Sequence, residues 1–214
     1  SIKRFDMSFD IKKLVRSHIA DLQSYSSARD EFDPVEREFV YLDANENPFN
    51  NGVNRYPDPQ QRKLKEVIAT LKGVSTNQVL LGNGSDEVLD LIFRAFCIPH
   101  QDKIIVMPPT YGMYKVLANI NSVYLDEVPL SDDFQLVTKN IFNQFSTQTK
   151  AIFLSSPNNP SGNSFRREDI LTLLRSFTGL VVIDEAYIDF STQNSLVSDL
   201  SSFPNLIITQ TLSK

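Results

Sequence analysis

Apolar residues along this chain follow two alternating patterns. Short continuous runs rich in Val and Ile occupy residues 79–81, 104–107, 123–125, 151–154, 180–183 and 206–208. Between several of them, notably at residues 86–97, 113–120 and 168–175, apolar positions recur at helical spacing, as expected of helices with one buried face. Strands that are apolar at nearly every position, rather than at every second one, suit a sheet covered on both sides. The alternation predicts an α/β fold, a three-layer α/β/α arrangement around a mostly parallel sheet.

The chain before residue 79 reads differently. Ile11, Leu14, Val15, Ile19 and Leu22 predict a helix over residues 9–22, and the polar stretch 23–38 shows no period. Residues 1–38 are therefore expected to form a helical arm that packs on something else. Phe39, Val40, Tyr41 and Leu42 predict a short strand that opens a domain over 39–214. Residues 43–59 form a loop rich in Asn and Pro, and loops of that length in compact domains are usually functional or disordered. Asp58 as N-cap, Pro59 at the first helical position and Gln61 in a capping box predict the next helix start. Leu64, Val67, Ile68 and Leu71 give that helix an apolar face, and Gly73 ends it.

Composition narrows the class. The chain has 214 residues, 41% of them hydrophobic, enough for a substantial core. A net charge of −5 with no basic stripe argues against nucleic acid as the main partner. No apolar run approaches the roughly 20 residues that span a bilayer, and the mixed, charged residues 1–10 carry no leader pattern. A lone cysteine, Cys97, cannot form an internal disulfide, which suits a reducing cytoplasm. His18 and His100 have no Cys or His at ligand spacing, so no metal site is expected.

Five of the apolar runs lead into polar clusters: Gly82-Asn83-Gly84-Ser85-Asp86, Pro108-Pro109-Thr110-Tyr111, Ser155 through Gly162, Asp184-Glu185-Ala186-Tyr187, and Thr209 through Lys214. In an open parallel sheet the strands' carboxyl ends lie side by side and ligands bind there. Each cluster has two readings. Gly82 and Gly84 serve either a strand-to-helix turn or a phosphate cradle at a helix N-terminus; neither the dinucleotide nor the Walker A spacing is present. Tyr111 is either a packing residue or a plate for a flat ring. Asn159 is either a turn residue or a donor to a phenolate oxygen. Asp184 either caps a turn or pairs with a pyridinium nitrogen, since a charge at the end of a buried strand needs a partner; Tyr187 could reach the same ring's oxygen. Lys214 is either a solvated charge or a Schiff-base lysine whose amine is expected to be made reactive by burial and nearby positive charge.

Together these stretches resemble the fold-type I aminotransferases that depend on pyridoxal 5'-phosphate (PLP). Leu42 through Pro48, with its Asn-Glu-Asn-Pro, and Pro108 through Tyr114, Pro-Pro-Thr-Tyr-Gly-Met-Tyr, resemble the histidinol-phosphate branch more narrowly; Asn54-Arg55-Tyr56-Pro57 matches as well. Ser161 replaces the commoner threonine. The resemblance implies that Lys214 holds PLP as a Schiff base and shuttles the substrate proton. It implies that Asp184 pairs with the ring nitrogen, Tyr111 stacks on the ring, and Asn159 and Tyr187 bind the ring oxygen. Ser85, Asp86, Thr211 and Ser213 would surround the phosphate. Tyr56 would reach it from the neighbouring subunit of a homodimer, and Tyr25 would lie on the substrate side. The implied reaction is transamination between L-histidinol phosphate and 2-oxoglutarate, giving L-glutamate.

The family continues past its lysine into another strand, a phosphate-binding arginine and a small C-terminal domain. The chain is therefore expected to hold the arm and a partial large domain, to lack the small domain, and to be inactive alone. Alternatives sharing the cofactor residues are an aromatic or phospho-amino-acid aminotransferase and a related decarboxylase. A non-catalytic PLP-binding module and a nucleotide-binding α/β domain are further readings; the acidic balance argues against the former and the latter predicts no imine.

Overall fold

The computed structural model describes residues 9–23, 25, 40 and 42–214. They form two compact units, one built from residues up to 20 together with 80–214, the other from those between 21 and 79.

The first unit is organised by a sheet of five parallel strands: β1 (Lys103–Val106), β2 (Tyr124–Glu127), β3 (Thr149–Ser155), β4 (Leu180–Asp184) and β5 (Leu206–Thr209), in the order β2-β1-β3-β4-β5. Successive side chains of a strand point to opposite faces, and both faces are apolar. Ile105, Ile152, Leu154, Val181 and Ile183 pack into one buried layer with Ile141 and with Ile170, Leu171, Leu173 and Leu174. Ile104, Val106, Ala151, Phe153, Leu180 and Val182 pack into the other with Leu89, Ile92, Phe93, Leu117 and Ala118. The helices supplying these residues are α4 (Ser85–Phe96), α5 (Met113–Ile120), α6 (Thr138–Phe142) and α7 (Arg167–Ser176). The expected three layers are present. Helix α6 escapes the sequence pattern because five residues are too few to show a period.

Close packing fixes the junctions. Asn205, 4% exposed, donates from Nδ2 to the carbonyls of Leu174 and Phe177, each at 3.0 Å, which satisfies acceptors left open at the end of α7. Gly179 stands directly before β4, where a Cβ would lie 2.5 Å from the Lys150 carbonyl oxygen. Gly179→Ala is expected to destabilise the unit by about 1–3 kcal/mol through overpacking. The check is the denaturant midpoint; an unchanged value would mean that the backbone yields freely there.

Several local expectations are corrected. The helix over 9–22 is two short ones, α1 (Ile11–Leu14) and α2 (Ser17–Ala20), because Val15 turns extended between them. Arg16 then docks on the end of α4, its N–H donating to Ala95 O and its Nη1 to Arg94 O; this long-range contact overrides the local period. Residues 79–81 form no strand, although Val79 has extended dihedrals. An extended backbone becomes a strand only beside an edge it can pair with, and Leu80 is exposed. Of the strand expected at 39–42, Phe39 and Tyr41 lie outside the described residues, while Val40 and Leu42 are exposed and unpaired in any ladder. Most of the stretch 23–38 also lies outside them.

In the second unit, α3 (Arg62–Lys72) begins three residues later than the capping pattern suggests. Asp58 still holds its start, accepting from the N–H groups of Gln60 and Arg62, but Gln61 adopts a left-handed φ of 52° instead of completing a capping box. Gly73, at φ 68°, ends the helix as expected. Within this unit the apolar face of α3 is not covered: Leu64, Val67 and Leu71 are exposed. The loop before α3 is pinned by side chains. Glu46 accepts from Tyr56 N–H and from Arg55 Nη1, both at 2.8 Å, and Asn54 Nδ2 donates to Asn47 O at 3.0 Å.

Candidate active site

From the border of β1 and β3 the chain departs in opposite directions, β1 leading to α5 on one face and β3 to α7 on the other. Such a switch point leaves a crevice at the strands' carboxyl ends. A cleft of about 210 Å³ opens there. The start of α4 contributes Asn83, Gly84, Ser85 and Asp86, and the segment after β1 contributes Tyr111. β3 and its loop give Ser155 and Asn159, β4 and its loop give Asp184, Ala186 and Tyr187, and the chain after β5 gives Thr211, Ser213 and Lys214. The structure thus brings together nine of the eleven residues singled out from the sequence. Tyr25 and Tyr56 belong to the second unit, where both side chains are exposed.

The turn into α4 depends on its glycines. Gly84 is the N-cap at φ 85°, a conformation L side chains rarely adopt. At Gly82 a Cβ would lie 2.8 Å from Glu87 Oε2, and the same carboxylate accepts from Asn83 N–H. Glu87 therefore reaches back from the first turn and closes the loop on the helix. The first-turn N–H groups of α4 lack intrahelical partners and carry the positive end of the helix dipole.

Asp86 turns its carboxylate to Tyr111, whose hydroxyl donates to Oδ1 at 3.2 Å. Burial, and then the Asp86 charge, push the Tyr111 phenol above its ordinary pKa. Tyr111 packs edge-on against Tyr114, ring centroids 5.7 Å apart. Tyr114 is fully buried on α5 and donates to Asp184 Oδ2 at 3.0 Å.

Asp184 is the last residue of β4 and 3% exposed. Its Oδ1 accepts from Thr209 Oγ1 and from Ala186 N–H, both at 3.2 Å. It therefore caps the following turn as well as facing the cleft. Burial raises its pKa above the usual carboxylate value, and the hydrogen bonds from Tyr114, Ala186 and Thr209 oppose that rise. Among the described residues no lysine or arginine forms an ion pair with it. The next residue, Glu185, engages a different set of partners and accepts from Ser195 Oγ, Leu196 N–H and Gln210 Nε2. That tie anchors the chain after β5 to the chain after β4. Asn158 anchors the β3 loop similarly, donating to Pro109 O and Ser161 Oγ.

In this chain Lys214 is exposed, as are Leu212 and Ser213. Its Nζ lies 5.5 Å from the Tyr187 ring centroid. Tyr114 and Thr209, which their local sequence pattern does not single out, also bear on the site by donating to Asp184. Tyr114 stands in the first turn of α5, three residues after Tyr111, and the two rings pack edge-on. Thr209 is the polar last residue of an apolar strand. Cys97 is buried away from this chemistry, and desolvation pushes its thiol up to about 12.

The sequence matches a family of known proteins. Residues 38–214 match the aminotransferase class I and II family, and the chain belongs to it. A histidinol-phosphate aminotransferase of Flavobacterium psychrophilum is 60% identical over 207 residues, covering 97% of this chain and 60% of that protein. One of Christiangramia forsetii is 61% identical over 206 residues, covering 96% and 59%. The chain thus spans about 60% of the length of these relatives. Among solved structures, the histidinol-phosphate aminotransferase of Sinorhizobium meliloti in complex with pyridoxal-5'-phosphate aligns with a TM-score of 0.67 at 25% identity, over 75% of this chain and 44% of that one. That of Clostridium acetobutylicum aligns with a TM-score of 0.67 at 23% identity, over 76% and 48%, a likeness of fold.

Proposed function

We propose that this chain is the cofactor-binding part of a histidinol-phosphate aminotransferase, which moves an amino group from L-histidinol phosphate to 2-oxoglutarate and gives imidazole acetol phosphate and L-glutamate. The observation that carries this reading is the 60% identity to a protein of that name across 97% of the chain. We further propose that it works as a homodimer in cytoplasmic histidine biosynthesis.

The cleft's chemistry suits PLP. One side offers the N-terminus of α4 with the hydroxyls of Ser85, Thr211 and Ser213, an environment for a phosphate dianion. Another offers Asp184, a buried carboxylate without a protein cation among the described residues, matched to a protonated ring nitrogen. The two Asp86 and phosphate charges would repel; the turn of the Asp86 carboxylate to Tyr111 leaves its backbone N–H to serve the phosphate. When bound, PLP supplies an electron sink for the carbon bearing the amino group.

The residues then have distinct tasks. Among the described residues Lys214 carries the sole amine lining the cleft; its Nζ is the covalent attachment point and the base that takes the proton from the substrate carbon. Asp184 keeps the ring nitrogen protonated. Tyr111 offers its ring face as a plate, and Asn159 and Tyr187 donate to the ring oxygen. Tyr56, exposed on the loop pinned by Glu46, is available to the phosphate of a neighbouring subunit, and Tyr25 to substrate.

The test is glutamate formation by the full-length protein from L-histidinol phosphate and 2-oxoglutarate, with growth rescue of a histidine auxotroph. Turnover confined to aromatic or other phospho-amino acids, with no rescue, would overturn the assignment of substrate.

A further inference from the structure

We propose that Tyr114 is a positioning residue whose hydroxyl, by donating to Asp184 Oδ2, keeps that carboxylate ionised and in place for a protonated ring nitrogen. The inference rests on reading the cleft as a PLP site and assigns the site a residue that does not line it.

Four observations support it. Tyr114 is fully buried, so no solvent competes for its hydrogen bond. The ring packs against Phe153 and Tyr111, a role a phenylalanine would fill equally. The hydroxyl is therefore a polar group placed in an apolar layer, where it is costly unless paired, and it donates to Asp184 Oδ2. Finally, an ionised carboxylate has about four acceptor positions. Ala186 N–H and Thr209 Oγ1 take two on Oδ1 and Tyr114 takes one on Oδ2. One position on Oδ2 remains for a ligand.

The chemistry has a definite sign. Burial favours the neutral acid at Asp184, and each donated hydrogen bond favours the anion. A neutral acid attracts no ring cation. The Tyr114 phenol itself is pushed well above its ordinary value, by burial first and then by the Asp184 charge, so it stays a neutral donor. The other charged or titratable groups around Asp184 are Asp86 on α4, Tyr111 at the entry to α5, Tyr187 after β4 and Lys214 after β5. Of these, the Asp86 charge works against ionisation of Asp184.

The experiment measures PLP affinity of the full-length apoprotein as a function of pH. Affinity falls on the acid side as Asp184 takes up its proton. In Tyr114→Phe this acid limb is expected to move up by about one to two pH units, the size of one hydrogen bond to a charged group. Using the same cofactor for both proteins cancels the cofactor's own ionisations. Fluorinated tyrosine incorporated at position 114 keeps the packing and strengthens the donor, so it should move the limb the other way. That arm decides the matter should Tyr114→Phe not fold. A limb that stays put in either variant, with only a lowered melting temperature, would assign Tyr114 to packing alone and overturn the proposal. Asp184→Asn separates the two levels: if it leaves both affinity and limb unchanged, the reading of the cleft as a PLP site has failed, whatever Tyr114 does.

Discussion

Lys214→Ala in the full-length protein is expected to lower the turnover number for amino transfer by about 10²–10⁴-fold from the loss of proton transfer alone, and further from loss of the attachment point. Among the described residues Lys214 carries the sole amine lining the cleft, so no other described lysine there can take over. The variant should also lose covalent labelling. Borohydride reduction in the presence of PLP, followed by peptide mass mapping, should add the cofactor mass to the Lys214 peptide of the native protein and to no peptide of the variant. Cofactor mass on another lysine of the native protein would sink the assignment.

The second large effect concerns Asp184. Asp184→Ala removes a buried charge and strands two hydroxyl donors, those of Tyr114 and Thr209. Breaking a buried ionic pair costs about 3–5 kcal/mol, which corresponds to PLP binding weaker by roughly a hundredfold to a few thousandfold. The stranded donors should lower stability by about 1–3 kcal/mol each. Asp184→Asn keeps an acceptor and removes the charge, so it should lose most of the cofactor affinity with a smaller loss of stability. Titration of apoprotein with PLP and a denaturant midpoint for both variants separate the two contributions. Equal affinity in alanine variant and native protein would mean that the ring nitrogen has no partner here.

The centre of the sheet was legible because its inner strands β1, β3 and β4 are buried on both sides. That burial demands apolar residues at nearly every position, as in Leu180-Val181-Val182-Ile183, and so leaves a contiguous mark. The polar clusters after β1, β3, β4 and β5 were legible for the same reason: the change from apolar to polar marks where the strand leaves the core. Residues 79–81 carry the same mark without being a strand, because pairing is a property of two segments and the composition belongs to one. Helix α3 began late because Asp58 could satisfy its early N–H groups in a turn as well as in a capping box, and composition does not choose between them. Glu46 shows a further limit. Its hold on Arg55 and Tyr56 lies inside a stretch that the sequence marks only as loop.

The sequence by itself determined most of the alternation of strands and helices, the faces that α4, α5 and α7 bury, and the set of polar residues delivered to the strand ends. Those follow from local period and from the cost of burying polar groups, both written along the chain. The tertiary structure decided which residues meet. Tyr114 and Asp184 are seventy positions apart and hydrogen-bonded; Asp86 and Tyr111 are twenty-five apart and hydrogen-bonded. Strand order set those encounters, and with them the state of the buried Asp184 carboxylate that faces the cleft. A single sequence carries no record of such distances, because the hydrogen bond is made in space by groups whose local surroundings would suit many other partners.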